Sequence, residues 1–242
     1  METINSKATV KQILLEAKSV LNQKGANAFI TVLHHTLLKK KVRFPLLEYA
    51  AKEIASTIPY AEQISITDQI IELKEIGSQV LAGIILQQRL SQGFQQSISK
   101  ACDYIQFGDE WYVCDIIGER VLGYALLSTP DKAIPLLRQL AIHEDKWIVR
   151  AVGVATHYAV KKGLATVFVA PVFDILLSLA GTTDFHTKKG IGWGAKTVAR
   201  FHPDIIDRYH SNIASSETKQ WFKTKVRIGL GRSKKNDTNN HS

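Results

Sequence analysis

Apolar residues recur three and four positions apart along almost the whole chain, while the alternation expected of half-buried strands is nearly absent. Val10, Ile13, Leu14, Ala17, Val20 and Leu21 trace one stripe and predict a first helix. Similar stripes predict helices at about 27–40, 45–57, 67–89 and 91–106, and then at about 110–127, 131–143 and 146–162. Four more follow at about 166–180, 185–201, 203–212 and 217–230. Links as short as Ser128-Thr129-Pro130 and Gly181-Thr182-Thr183 make successive helices antiparallel neighbours. From Arg232 to Ser242 the chain is polar and lacks the stripe, which predicts a disordered tail after a single repeat domain spanning 1–231. The fold class is all-α.

Three blocks in the second half look alike. The decapeptide beginning at Asp109 aligns with the one beginning at Asp145, and both align with the one beginning at Asp184, at spacings of 36 and 39 residues. That period is expected of a solenoid of antiparallel helix pairs. Each block opens with an Asp suited to cap a helix, so each places its next residues at the start of the second helix of a pair. Stacked repeats set equivalent positions side by side, and these helix starts are expected to line one concave surface.

Charge narrows the choice of partner. With 31 Lys and Arg against 22 Asp and Glu, the 242-residue chain carries a formal charge of +9, which favours a polyanion such as nucleic acid or an anionic membrane surface. Leu164–Gly181 is the most apolar stretch, but Pro171, Asp174 and Ser178 interrupt it, so it reads as a buried helix pair and not a membrane span. No basic amphipathic anchor helix is evident either, which weakens the membrane alternative. Cys102 and Cys114 form no CxxC pair, so neither a zinc site nor any other metal is expected. Met1-Glu2-Thr3 lacks the basic start of a secretory signal, and a reducing cytoplasm is the expected compartment, with nucleoid association in a bacterial cell.

Within the blocks, spacing groups side chains by face. Trp111 and Asp115 are four apart, Trp147 and Arg150 three apart, and Lys189 and Trp193 four apart. Aromatic rings, one carboxylate and cations therefore share a groove. Arg and Lys at helix starts suit phosphate oxygens, and indole faces suit sugars, unstacked bases and cations. The same residues have a plainer reading, with Trp147 wedged between helices and Asp115 simply paired with Arg150. Further basic residues gather at Lys39-Lys40-Lys41-Arg43, at Lys188, Lys189, Lys196 and Arg200, and along Lys219–Lys235.

Trp111-Tyr-Val-Cys-Asp115, Trp147-Ile-Val-Arg150-Ala151 and Lys189-Gly-Ile-Gly-Trp193 resemble the signature blocks of the HEAT-like-repeat DNA alkylation repair family, the AlkD-type glycosylases. Phe201-His-Pro203-Asp204 also resembles that family, as does the early helix start at Arg43-Phe44-Pro45. The resemblance covers roughly 100–210 well, and its strength lies in the order of the blocks together. It implies a monofunctional alkylpurine DNA glycosylase that needs no cofactor and acts as a monomer on duplex DNA. Asp115, Trp111 and Trp193 would then be catalytic, with Arg150, Trp147, Lys188, Lys189, Lys196 and Arg200 on DNA. Implied substrates are N7-alkylguanine and N3-alkyladenine, with bulky adducts admissible. A non-catalytic HEAT-like module that binds DNA or a protein is the alternative.

Overall fold

A computed structural model describes residues 2–237, with side chains described through Ser233. The fold is all-α, as a helical solenoid requires, apart from one short parallel pairing of β1 (Thr3–Ile4) with β2 (Lys41–Val42). By its internal contacts the chain divides into two compact units, 1–104 and 105–242.

In the first unit α1 (Lys7–Leu33) starts where the Ser6 hydroxyl accepts the Thr9 N–H at 3.0 Å. The two predicted stripes merge here into one kinked helix. Gly25 sits at φ 79° at the kink, a conformation open to glycine at little cost. A widened π turn at His34–Leu38 leads into β2. Then come α2 (Phe44–Thr57), α3 (Gln63–Ile71) and α4 (Ile76–Arg89). One helix was expected over 67–89, but the chain breaks at Glu72–Glu75, with Lys74 at φ 54°. No Gly or Pro marks that break, and apolar Leu73 and Ile76 continue the stripe across it. Nearly every residue of α4 is buried, between α2 and α3. Helix α5 (Phe94–Gly108) spans the boundary between the units.

The second unit is built in two layers. Its inner layer starts with α6 (Trp111–Ile117), continued by a widened π segment at Gly118–Gly123 and by α7 (Tyr124–Ser128). Outer and inner helices then alternate as α8 (Pro130–Ala141), α9 (Lys146–Lys161), α10 (Thr166–Ser178) and α11 (Phe185–Phe201). Short α12 (Pro203–Arg208) and α13 (His210–Ala214) precede α14 (Gln220–Asp237). A single helix was expected over 203–212; it divides at Tyr209. Helix α14 also continues past Gly231 to Asp237, so Arg232–Asp237, assigned to the polar tail by pattern, belong to a helix, and 238–242 lie outside the described residues.

Glycine sets the spacing of the inner layer. A Cβ at Gly153 of α9 would strike the Gly190 backbone of α11, and one at Gly190 would strike the Arg150 carbonyl. Gly229 of α14 meets the Lys196 carbonyl of α11 in the same way. Helices α9, α11 and α14 thus pack backbone against backbone, close enough for side chains of one helix start to reach the next.

Candidate functional site

The inner helices of the second unit begin alike and differ in what they place there. Asp145 caps α9, its Oδ1 accepting the N–H groups of Trp147 at 2.7 Å and Ile148 at 3.2 Å. Asp184 caps α11 through the Thr187 N–H at 2.7 Å. Helix α6 has Glu110 at its cap with no side-chain bond. Asp109, which the sequence alignment placed in the cap position, lies one residue outside the helix at φ 45°. The equivalent positions are therefore Glu110, Asp145 and Asp184, 35 and 39 residues apart. Gly118, Gly153 and Gly192 each follow their cap by eight residues and share this register.

This one-residue correction changes which residues correspond. Trp111, Lys146 and Phe185 occupy the first helical position, and all three are exposed, Trp111 at 54% and Phe185 at 59%. Tyr112, Trp147 and His186 occupy the second. Trp147 was expected on DNA, but it is 4% exposed. Its ring packs on His186 with centroids 4.3 Å apart, and its indole N–H donates to Asp109 Oδ1 at 2.5 Å. The Trp147 carbonyl accepts the Cys114 thiol at 3.2 Å. Trp147 is wedged between helices, as the plainer reading had it.

The fifth position holds Asp115, Arg150 and Lys189. Arg150 Nε and Nη2 each donate to one oxygen of Asp115 at 2.9 Å, a bidentate pair. Nη1 donates to the His186 carbonyl at 3.1 Å, which ties α6, α9 and α11 together. The side chains are 17% exposed for Asp115 and 8% for Arg150. Arg150 was expected to face a phosphate in the open; it is buried, with three of its five N–H groups already used. Beside the pair, burial pushes the Cys114 thiol well above the usual range, so it is inert as a nucleophile.

Trp193 comes from α11 and is half-buried. Its ring stacks on His157 of α9 at 3.9 Å and 23°. His157 follows Arg150 by seven residues, about 10 Å along the helix. The candidate groups thus extend over roughly three base-pair rises of a duplex and do not converge on one point.

The cations differ in availability. Lys189 is exposed, with Nζ 5.0 Å from the Phe185 ring centroid. Lys188, Lys196 and Arg200 are half-buried. Burial, and then repulsion from Arg232 and Lys225, holds the Lys196 ammonium below its ordinary range. Those repelling charges on α11 and α14 favour an anionic visitor. In the first unit Lys40 is bonded to Glu2, so one cation of the Lys39–Arg43 cluster is already matched. Lys223 of α14 donates to the carbonyls of Ala214 and Ser215 at 3.0 Å and serves the end of α13.

Pattern reading missed Phe185, His186 and His157. Phe185 was legible once the caps were aligned, since it matches Trp111. His186 contributes through its carbonyl, which no residue type announces. Among the described residues, no group of three or more His, Cys, Asp or Glu side chains is arranged to hold a metal, and no helix is long and apolar enough to cross a membrane. A cavity of about 120 Å³ lined by Lys11, Leu14, Phe29 and Tyr49 belongs to the first unit, and none of the candidate residues lines it.

The family described as DNA alkylation repair enzyme matches residues 20–223, covering both the candidate site and most of the first unit. The chain belongs to that family. No curated protein and no solved structure matches it. Membership in the DNA alkylation repair family gives the chain a role in DNA repair and DNA as its partner. It also accounts for the basic surface of α11 and α14, because a DNA-binding protein neutralises phosphates with Lys and Arg.

Proposed function

We propose that the chain is a monofunctional glycosylase that hydrolyses the N-glycosidic bond of cationic alkylated purines in duplex DNA. Alkylation at N7 of guanine or N3 of adenine puts positive charge on the base and makes it a better leaving group. The bond from C1′ to the base breaks with its electron pair going to the base, which departs neutral. Water then bonds to C1′ and gives up a proton, leaving an abasic site. The deoxyribose carries positive charge between these events, and a carboxylate aimed at it lowers the barrier.

The observation that carries this reading is the Asp115 carboxylate, held in one orientation by Nε and Nη2 of Arg150, one turn along α6 from exposed Trp111. A side chain fixed at two oxygens is preorganised for a charge that appears only in the transition state. Trp111 and Trp193 offer π faces to the sugar and the cationic nucleotide. Arg150 positions Asp115 and keeps two N–H groups for a phosphate oxygen. Lys188, Lys189, Lys196 and Arg200 supply sequence-independent contacts to the DNA backbone.

One observation favours the second reading, a DNA-binding module without catalysis. The Arg150 charge offsets that of Asp115, and a closed ion pair is a sufficient structural reason to keep both. The experiment that separates the two is incubation of the protein with duplex DNA containing N7-methylguanine, scoring free base and abasic sites. Equimolar release of both supports the glycosylase. Tight binding with no release under single-turnover conditions leaves the binding module.

A further inference from the structure

The stacked ring behind Trp193 has no part in the chemistry above, yet it is built with care. His157 is a polar residue in the buried interface of α9 with α11. The position twelve residues after the cap holds apolar Leu122 in the preceding layer, so packing alone does not call for a polar ring there. Hydrogen bonds fix the tautomer. The Thr197 hydroxyl donates its single proton to the Trp193 carbonyl at 2.9 Å, and therefore accepts in its 2.7 Å contact with His157 Nδ1. Nδ1 carries the proton. Trp193 is thus held twice, at its carbonyl by Thr197 and across its indole face by the imidazole that Thr197 anchors.

We propose that His157 is a positioning residue for Trp193, its neutral ring stacked on the indole so that the opposite face meets DNA at a fixed angle. The activity arm of this proposal rests on the glycosylase reading; the geometric arm does not. Burial, with Lys161 and Lys196 nearby, holds the imidazole down to about 4, which keeps it neutral and flat against the indole at neutral pH. A half-buried indole lacking this backing has room to tilt, and misplacement by an ångström at a reaction centre slows catalysis severely.

The test uses the full chain labelled with 5-fluorotryptophan, whose Trp193 resonance is assigned with Trp193→Phe. In His157→Ala the Trp193 signal should shift and broaden while those of Trp111, Trp147 and Trp221 hold. His157→Phe, which keeps a flat ring, should preserve a single narrow line. Thr197→Val should broaden the signal without removing the ring, so the proposal stays testable if the alanine variant folds poorly. On N7-methylguanine duplex, His157→Ala should excise about tenfold more slowly at saturating protein, and His157→Phe should recover most of that loss. Affinity for undamaged duplex should fall much less than excision does, since His157 is buried and offers no charge to a phosphate. An unchanged Trp193 signal in His157→Ala overturns the proposal, as does a phenylalanine variant that is as slow as alanine. If the wild type excises nothing, the glycosylase reading fails, and the fluorine spectra alone decide the positioning role.

Discussion

The starts of α6 and α9 carry nearly the same sequence and do opposite things. Each has a tryptophan two residues after an aspartate and an ionisable side chain within a turn or so. In α9 Asp145 caps the helix, which puts Trp147 at the second helical position and turns its ring inward. In α6 the cap falls on Glu110, which puts Trp111 at the first position, with its ring outward. One residue of register is 100° around a helix, enough to exchange core for surface. Trp147 accordingly ties α9 to α6 and α11, and Trp111 is left on the surface. What looks like a repeated motif is one structural tryptophan and one functional candidate.

The largest test of that contrast is stability. Trp147→Ala removes a buried ring and leaves a cavity, at an expected cost of about 3–5 kcal/mol in denaturant unfolding. Trp111→Ala touches the surface and should cost within about 0.5 kcal/mol. Equal costs would mean that the two tryptophans share one role.

The caps give a smaller effect. Asp145→Ala should destabilise by about 1 kcal/mol, because two backbone N–H groups lose their acceptor. Glu110→Ala should have no measurable effect on unfolding, since Glu110 makes no side-chain cap bond. Acid sharpens the comparison from the interior side. His157 is held to about 4 in the folded protein against an ordinary 6.5, so below about pH 6.5 the unfolded chain takes up a proton that the native chain refuses. Its contribution to stability is present above pH 6.5 and is lost as pH falls toward 4. Melting curves should show the wild type losing stability relative to His157→Phe across that window. A constant difference would mean that native His157 takes up its proton at the same pH as in the unfolded chain.

Much of this was legible in advance, for identifiable reasons. Helices with strong stripes and a glycine or proline at their ends, such as α9, α10 and α11, lie where periodicity put them. The break between α3 and α4 did not show, because a lysine takes the left-handed position and the apolar stripe runs through it. Trp111 and Asp115 were expected on one face of a helix, and they share α6. Asp109 was read as a cap because it is an aspartate at a helix start, but its carboxylate serves the Trp147 indole instead. The closure of Arg150 on Asp115 was an open alternative. It depends on how α6 and α9 pack against each other, which is a tertiary matter that local spacing does not report.

The central claim is that Asp115 acts on charge developing at the sugar, and single-turnover excision by Asp115→Asn tests it most directly. Asparagine keeps the shape and one acceptor for Arg150, and removes the negative charge. The account predicts excision of N7-methylguanine slowed by about a hundredfold or more. Affinity for intact duplex should be equal or tighter, because Arg150 is released toward phosphate, and circular dichroism should show the fold intact. Wild-type excision by a folded Asp115→Asn protein would contradict the account.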